Sequence, residues 1–432
     1  MKYWYGIHKW TSLICAVFLL IMCVSALPLI FSREIVAFNQ VGAPGVAPAG
    51  NPFNLSALSV GKYAADALER YPGSSLRAVY LDYERMTAGF SLQSTGKGSQ
   101  YVRLDLSTGR FIDRSDQQVK YEFIPKFIDS MYRMHVDMYL GEWGRKLLGF
   151  MCGLSIVALL SGLWLYAPFT RTLTFGTIRT AHRRSCWIDW HKLLGVATLS
   201  WAVLLSASGF IFVFAGPVYN AWNEITHKEF LQEYQGRPYS APRILIDDVL
   251  AIAKAAVPDR RVTGIEMPQA GGRMPWHYTI RTQGEGFAAY INKPVWIDAS
   301  TGAITAIIEL PWYIQALAMA RPVHFSNHDT LLLKSLWFII DAFTCIMIVT
   351  GMYAWFVKFR PKSSVVKVNS QSVAFDYPVR QSPRQIWQAP IAVILLTGFG
   401  IIAPLASKEW NVISAFALAM PIVLAIYYCF RR

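Results

Sequence analysis

Eight histidines punctuate the 432-residue chain: His8, His135, His182, His191, His227, His277, His324 and His328. Four of them stand near the ends of long apolar segments and form two matched couples. His8 and His191 are 183 positions apart, and His135 and His324 are 189 apart. An imidazole close to a bilayer is costly without a partner, so each is a functional candidate by default. Any one alone reads more readily as an interfacial side chain bonded to backbone or phospholipid. Matched couples point elsewhere. Two imidazoles facing each other can take the opposite axial positions of a haem iron, which needs a neutral nitrogen on each side and an apolar slot for the macrocycle. Couples at opposite membrane faces then predict two haems, stacked along the membrane normal.

Structural zinc fits less well. Only His324 and His328, at i and i+4, have ligand spacing, and no third ligand accompanies them. His328 is an alternative ligand to His324, although Tyr139 stands at the matched position of the first half. Asp137 and Asp189, each two residues from a proposed ligand, either orient an imidazole or face water. His182, His227 and His277 have no matched counterpart and read as surface or domain residues. Trp143, Trp276 and Trp312 are candidates for an external binding surface, with core or interfacial roles the more ordinary reading.

The elements that must position these side chains cross a membrane. The chain is 54% hydrophobic and only 16% charged, against about 25% charged in soluble domains. Six apolar windows, 11–31, 147–167, 193–215, 331–357, 389–406 and 412–430, are near the roughly 20 residues that span about 30 Å of hydrocarbon. Disordered, fibrous, disulfide-rich secreted and ordinary cytosolic classes are excluded. The first window is longer than a signal-peptide core and lacks a good cleavage site, so it reads as a retained span. The net charge of +14 is a topology signal. Arg171, Arg179, Arg183 and Arg184 fill the linker 168–187 with no acid. Lys358, Arg360, Lys362, Lys367, Arg380 and Arg384 face only Asp376 in the next linker. By the positive-inside rule both linkers and both termini are cytoplasmic, and the two large inserts are external. Nucleic acid is not an expected partner; the lipid bilayer is. Neither insert has a cysteine, so no disulfide framework holds them.

An internal repeat is legible. Ser25 meets Ser208 and Phe31 meets Phe214 at the offset of 183. Asp105-Leu-Ser-Thr-Gly109 returns as Asp298-Ala-Ser-Thr-Gly302, and Ser161-Gly162-Leu-Trp164 as Thr350-Gly351-Met-Tyr353. The expected unit is span, external domain, span, present twice about an axis along the membrane normal, with a final hairpin appended. The boundaries are a first span in 1–32, a first external domain 33–142, spans 143–167 and 188–216 joined by the linker 168–187, a second external domain 217–330, a span 331–357, a linker 358–387 and the hairpin 388–430. Residues 42–52 form a Pro/Gly/Ala linker. Each insert reads as one helix on a small antiparallel sheet: a helix over 58–71, strands 76–83, 101–106 and 110–113, then a helix over 246–257 and strands 262–267, 277–281 and 295–298.

The ordered motifs resemble the PepSY-associated transmembrane family over residues 1 to about 357. They are His8-Lys-Trp at the first span, an insert carrying Asp-x-Ser-Thr-Gly, His135 before a span closing Ser-Gly-Leu-Trp, Trp190-His191-Lys-Leu-Leu-Gly195 and Arg321-Pro-Val-His324-Phe. The chain departs from the pattern at Ser326 and Asn327, where glycine is more usual after His-Phe. The resemblance implies a membrane α-helical bundle of six spans with two small α+β PepSY-like external domains. It also implies kinship with bacterial inner-membrane ferric-siderophore reductases carrying haem b.

The expected function is therefore electron transfer from an unidentified cytoplasmic donor, through haem at His8/His191 and haem at His135/His324, to a periplasmic acceptor. The resemblance makes that acceptor a ferric siderophore. One rival is a membrane-anchored module that binds peptides or a protease without redox chemistry. Another is a transporter subunit, for which the spans offer little beyond Asp341. No GxGxxG opens a βαβ unit, so a nucleotide cofactor is not expected.

Overall fold

The computed structural model describes residues 2–39, 59–83, 85–94, 98–112, 120–234, 237–239, 241–272, 274–325, 330–357 and 380–430. In chain order its elements begin with α1 (Lys2–Ile30), α2 (Ser32–Asn39) and α3 (Val60–Arg70). Strands β1 (Ser74–Asp82), β2 (Thr87–Ser94), β3 (Gly98–Asp105) and β4 (Arg110–Ile112) follow. Then come α4 (Phe123–Val136), α5 (Gly141–Thr170), α6 (Arg183–Phe214), α7 (Gly216–Leu231) and α8 (Ile246–Ala256). Strands β5 (Arg261–Glu266), β6 (His277–Gln283), β7 (Val295–Asp298) and β8 (Ile304–Ile307) lead to α9 (Trp312–Phe325), α10 (Leu331–Val357), α11 (Pro383–Ala406) and α12 (Asn411–Phe430). The chain divides into a helical unit, Met1–Ile35 with Phe123–Ala215 and Ala320–Arg432, and a sheet unit, Val36–Glu122 with Gly216–Met319. The expected 42–52 linker and most of 358–387 lie outside the described residues.

Six helical segments, α1, α5, α6, α10, α11 and the one carrying α12, are long and apolar enough to cross a bilayer. The chain is a multi-pass membrane protein, as the six apolar windows predict. Helices α1 and α6 start well before their apolar windows, which carries His8 and His191 inside helix. Within this unit α1 and α6 each pack against both α5 and α10, closing a ring of four, while α11 and α12 lie against α6 and α10. Small side chains permit the close approach, as between helices in lipid. Ser155 on α5 donates to Ser206 on α6 at 2.9 Å, and a Cβ at Gly149 would fall 2.8 Å from the Cβ of Val213. On the other side Trp201 and Trp337 meet edge-on at 4.3 Å within a core that includes Leu333, Ile340, Ile401 and Leu418.

His135 precedes the second apolar window by twelve residues, a spacing that demands a long protruding helix or a bend. The chain instead ends α4 and starts α5 afresh. Met138, Tyr139 and Gly141 take left-handed φ values of 52°, 60° and 60°, and Asp137 Oδ1 accepts the Tyr139 N–H at 2.9 Å. Asp137 is thus a turn residue; it orients no imidazole. The reversal lays α4 along α1.

The sheet unit holds one eight-stranded sheet in the order β4-β3-β2-β1-β5-β6-β7-β8. Each insert contributes an antiparallel meander of four strands. The two join through antiparallel pairing of β1 with β5, where Ala78, Val79 and Tyr80 face Glu266, Ile265 and Gly264. That pairing covers two edges that would otherwise offer unpaired backbone groups. Helix α3 packs on the first core around Phe90, Leu92 and Leu104, and α8 on the second around Ile265, Tyr278 and Ile297. The repeated Asp-x-Ser-Thr-Gly segments are turns. Asp105 Oδ1 accepts from Ser107 N at 2.8 Å and from Thr108 N at 3.3 Å, and Asp298 Oδ1 from Ser300 N at 2.8 Å and Thr301 N at 2.9 Å. Gly109 and Gly302 close them at φ 67° and 76°, where a Cβ would be strained. Burial raises each carboxyl, but the bonds from the Ser-Thr pair outweigh it and hold both below the ordinary aspartate range.

Candidate functional site

The helical unit brings the four matched histidines together as two facing pairs. The ring centres of His8 and His191 are 6.3 Å apart, with planes at 54°. Those of His135 and His324 are 6.1 Å apart, with planes at 59°. Two imidazoles bound trans to one metal at about 2.0–2.1 Å, each ring centre about 1.1 Å behind its nitrogen, stand about 6.3 Å apart. Both spacings match. Since His8 and His191 project from α1 and α6, diagonal members of the four-helix ring, their pair lies inside the bundle.

Hydrogen bonds fix which nitrogen is free to coordinate. His8 Nδ1 lies 2.8 Å from the Ala158 carbonyl on α5, and His191 Nδ1 lies 2.9 Å from the Met347 carbonyl on α10. His135 Nδ1 lies 2.9 Å from the Met22 carbonyl on α1. A carbonyl has no proton to give, so each Nδ1 donates and each Nε2 keeps its lone pair. His324 Nδ1 lies 2.9 Å from Ser208 Oγ, whose own proton goes to the Leu204 carbonyl at 2.7 Å, so here too Nδ1 donates. Metal-bound histidines ordinarily make this kind of bond with the second nitrogen. The donor set is therefore four neutral Nε2 atoms in two opposed couples, which suits haem iron.

Two glycines complete the seats. A Cβ at Gly162 would fall 2.9 Å from His8 Cε1, and one at Gly351 would fall 2.8 Å from both His191 Nδ1 and Cε1. These glycines, with Ser25, which lies 3.3 Å from His135 Nδ1, and Ser208, were visible in sequence only as marks of the repeat; their role as supports was not. Along α1, His8 and Met22 are separated by 14 residues, about 21 Å of helix axis, so the pairs occupy different depths. Between the helices lies a cavity lined by His135, His324, Met22, Trp201 and Asp341.

Other candidates fall elsewhere. Asp189 neither orients an imidazole nor faces water. It is buried, takes Arg179 Nε at 2.8 Å and Nη2 at 3.0 Å, and pairs with Lys192 at 2.8 Å, tying the 168–187 linker to α6. His277 is no surface residue: it is 1% exposed, edge-on to Phe230 and Tyr234. His227 donates Nδ1–H to the Asn223 carbonyl and packs on Trp296, and His182 is exposed at the start of α6. Trp276 stacks on Tyr234, whereas Trp143 and Trp312 are exposed. His328 lies outside the described residues; His324 forms the pair with His135.

The family model of the PepSY-associated TM region matches residues 5–358. No curated protein matches the chain.

Proposed function

The chain belongs to the PepSY-associated transmembrane family, and from that premise we propose that it is a di-haem b electron-transfer protein of the bacterial inner membrane. In this reading a cytoplasmic donor supplies electrons and a periplasmic ferric siderophore accepts them, its hold on iron weakened by reduction. The observation that carries the reading is the pair of ring-centre spacings, 6.3 and 6.1 Å, with every Nδ1 already committed as a donor. When bound, haem b supplies reversible one-electron exchange.

The chain's own residues do the holding. His8 and His191 would grip one group, His135 and His324 the other. Ala158, Met347, Met22 and Ser208 keep each imidazole in the tautomer that coordinates. Gly162 and Gly351 leave the rings room. The apolar lining keeps water from the path. The supports recur at the offsets of the repeat: Ala158 with Met347, Gly162 with Gly351, Ser25 with Ser208. This favours a tandem duplication; the inserts are then PepSY-like domains, and the arginine-rich link 168–187 favours placing them in the periplasm with both termini cytoplasmic.

The full chain, purified in detergent after expression with ample haem, should carry two low-spin b haems, and His191→Ala should carry one. A colourless protein, or a His191→Ala spectrum identical to that of the wild type, rejects the assignment.

A further inference from the structure

One buried acid remains without a part in this scheme. Asp341, in the middle of α10, is 3% exposed and lines the cavity shared with His135 and His324. The Cys23 thiol of α1 bonds its carboxyl group, while its Oδ2 is buried with no hydrogen-bond partner among the described residues. A carboxylate left half-satisfied in a membrane interior marks function more often than packing. Its matched position in the first half of the chain, 189 residues earlier, is Cys152, which lines the same cavity. The two halves thus build similar walls, and an acid is not needed to build one.

The groups facing Asp341 leave it the natural proton carrier of the cavity. From α1 comes Cys23, from α5 Cys152, and from its own helix Cys345 one turn on. Helix α6 presents Trp201, Ala202, Leu205 and Ser206, none ionisable, and α12 presents Ala415, Leu418 and Ile422. His135 and His324 are committed through Nδ1, and Lys334, nearly two turns back, is paired with Glu34. Among the described residues no Lys or Arg lines this cavity to balance an added negative charge.

We propose that Asp341 is a redox-linked proton site, an inference that rests on the di-haem reading above. As one electron from the donor arrives between His135 and His324, one proton from water joins the Asp341 carboxylate. As the electron leaves for the acceptor, the proton returns to water. Charge in the cavity is unchanged by the pair of events, which is what an apolar interior demands.

The test is a spectroelectrochemical titration of the haem-loaded full chain across pH. The midpoint of one haem should fall by up to about 59 mV per pH unit, the slope of one proton per electron. Asp341→Asn should keep both haems and flatten that slope, and Asp341→Glu should restore it. Redox-difference infrared spectra should show a protonated-carboxyl C=O band on reduction that Asp341→Asn lacks. A colourless chain overturns the di-haem reading and this inference together. Two bound haems with pH-independent midpoints, or an unchanged slope in Asp341→Asn, overturn this inference alone. Should Asp341→Asn not fold, the wild-type slope and infrared band still decide: their absence overturns the proposal, and an Asp341→Glu shift of the band supports it.

Discussion

Each imidazole of the His8/His191 pair is seated against a glycine, and there a single carbon atom decides geometry. A methyl group at Gly351 would press on His191 at 2.8 Å, so the ring must move from the position that gives the 6.3 Å spacing. On the di-haem proposal, Gly351→Ala should lower haem content from two to one per chain, or weaken that site by about 10–100-fold, the usual effect of disturbing a ligand's support. A thermal unfolding midpoint measured on the same variant separates loss of the seat from loss of the fold, because the helix preference for alanine, about 1 kcal/mol, opposes the packing cost of the added methyl. Gly6→Ala serves as the control, because nothing lies within 4 Å of a Cβ there. Haem per chain, measured on both variants, checks the argument; two haems and an unaltered spectrum in Gly351→Ala would sink it. The histidines themselves were legible in sequence because histidine is rare near lipid and these recur at fixed offsets. The glycines were not, since a glycine in a membrane span ordinarily means close helix packing.

At the scale of elements, legibility followed the strength of local patterns. Helices α3 and α8 and strand β7 were readable from periodicity and breakers, and the six spans from hydropathy. Strand β2 was missed because Gly89 interrupts it; there the ring of Tyr101 on β3 occupies the place a side chain would take. The β1–β5 joint was invisible because edge pairing depends on residues about 185 positions apart, which no local pattern encodes. His277 reads in sequence as a surface or domain residue, and its burial was not legible because it comes from Phe230 of α7 and from Tyr234, distant in sequence from β6. That burial makes a prediction about acid stability. Burial pulls His277 down to about 4, more than nearby Asp298 restores, whereas in the unfolded chain it protonates near 6.5. The native state therefore resists binding that proton. Stability is full above about pH 6.5 and falls by roughly 3 kcal/mol as the pH drops toward 4. The depressed Asp105 and Asp298 act in the same direction, but only below about pH 4. Unfolding midpoints of the full chain, followed by tryptophan fluorescence, should decline across that upper window. His277→Phe, which keeps the ring contacts, should flatten the decline; an equal slope in the variant would show that His277 is not the group responsible.

For the whole molecule, strand pairing and charge bear on topology independently. The strands of both inserts share one sheet, so the inserts must occupy the same compartment, and the two crossings between them, α5 and α6, bring the chain back to the side it left. This holds whatever the charges are. Charge bears on which compartment: Arg171, Arg179, Arg183 and Arg184 crowd the short link from α5 to α6 with no acid among them, and the orientation proposed above, with this link in the cytoplasm, follows the positive-inside rule. The expected outcome can be read with single cysteines introduced at exposed positions after Cys186→Ser removes the native thiol of that link. Thr108→Cys and Thr301→Cys, on the two turns of the sheet unit, should both react with a membrane-impermeant maleimide in intact spheroplasts. Thr180→Cys should react only after lysis. Labelling of Thr108→Cys without Thr301→Cys would contradict the shared sheet, because strands cannot pair across a bilayer. Labelling of Thr180→Cys in intact spheroplasts would leave the sheet untouched and reverse the orientation, placing the His8/His191 pair nearest the outside and requiring electrons to run the opposite way.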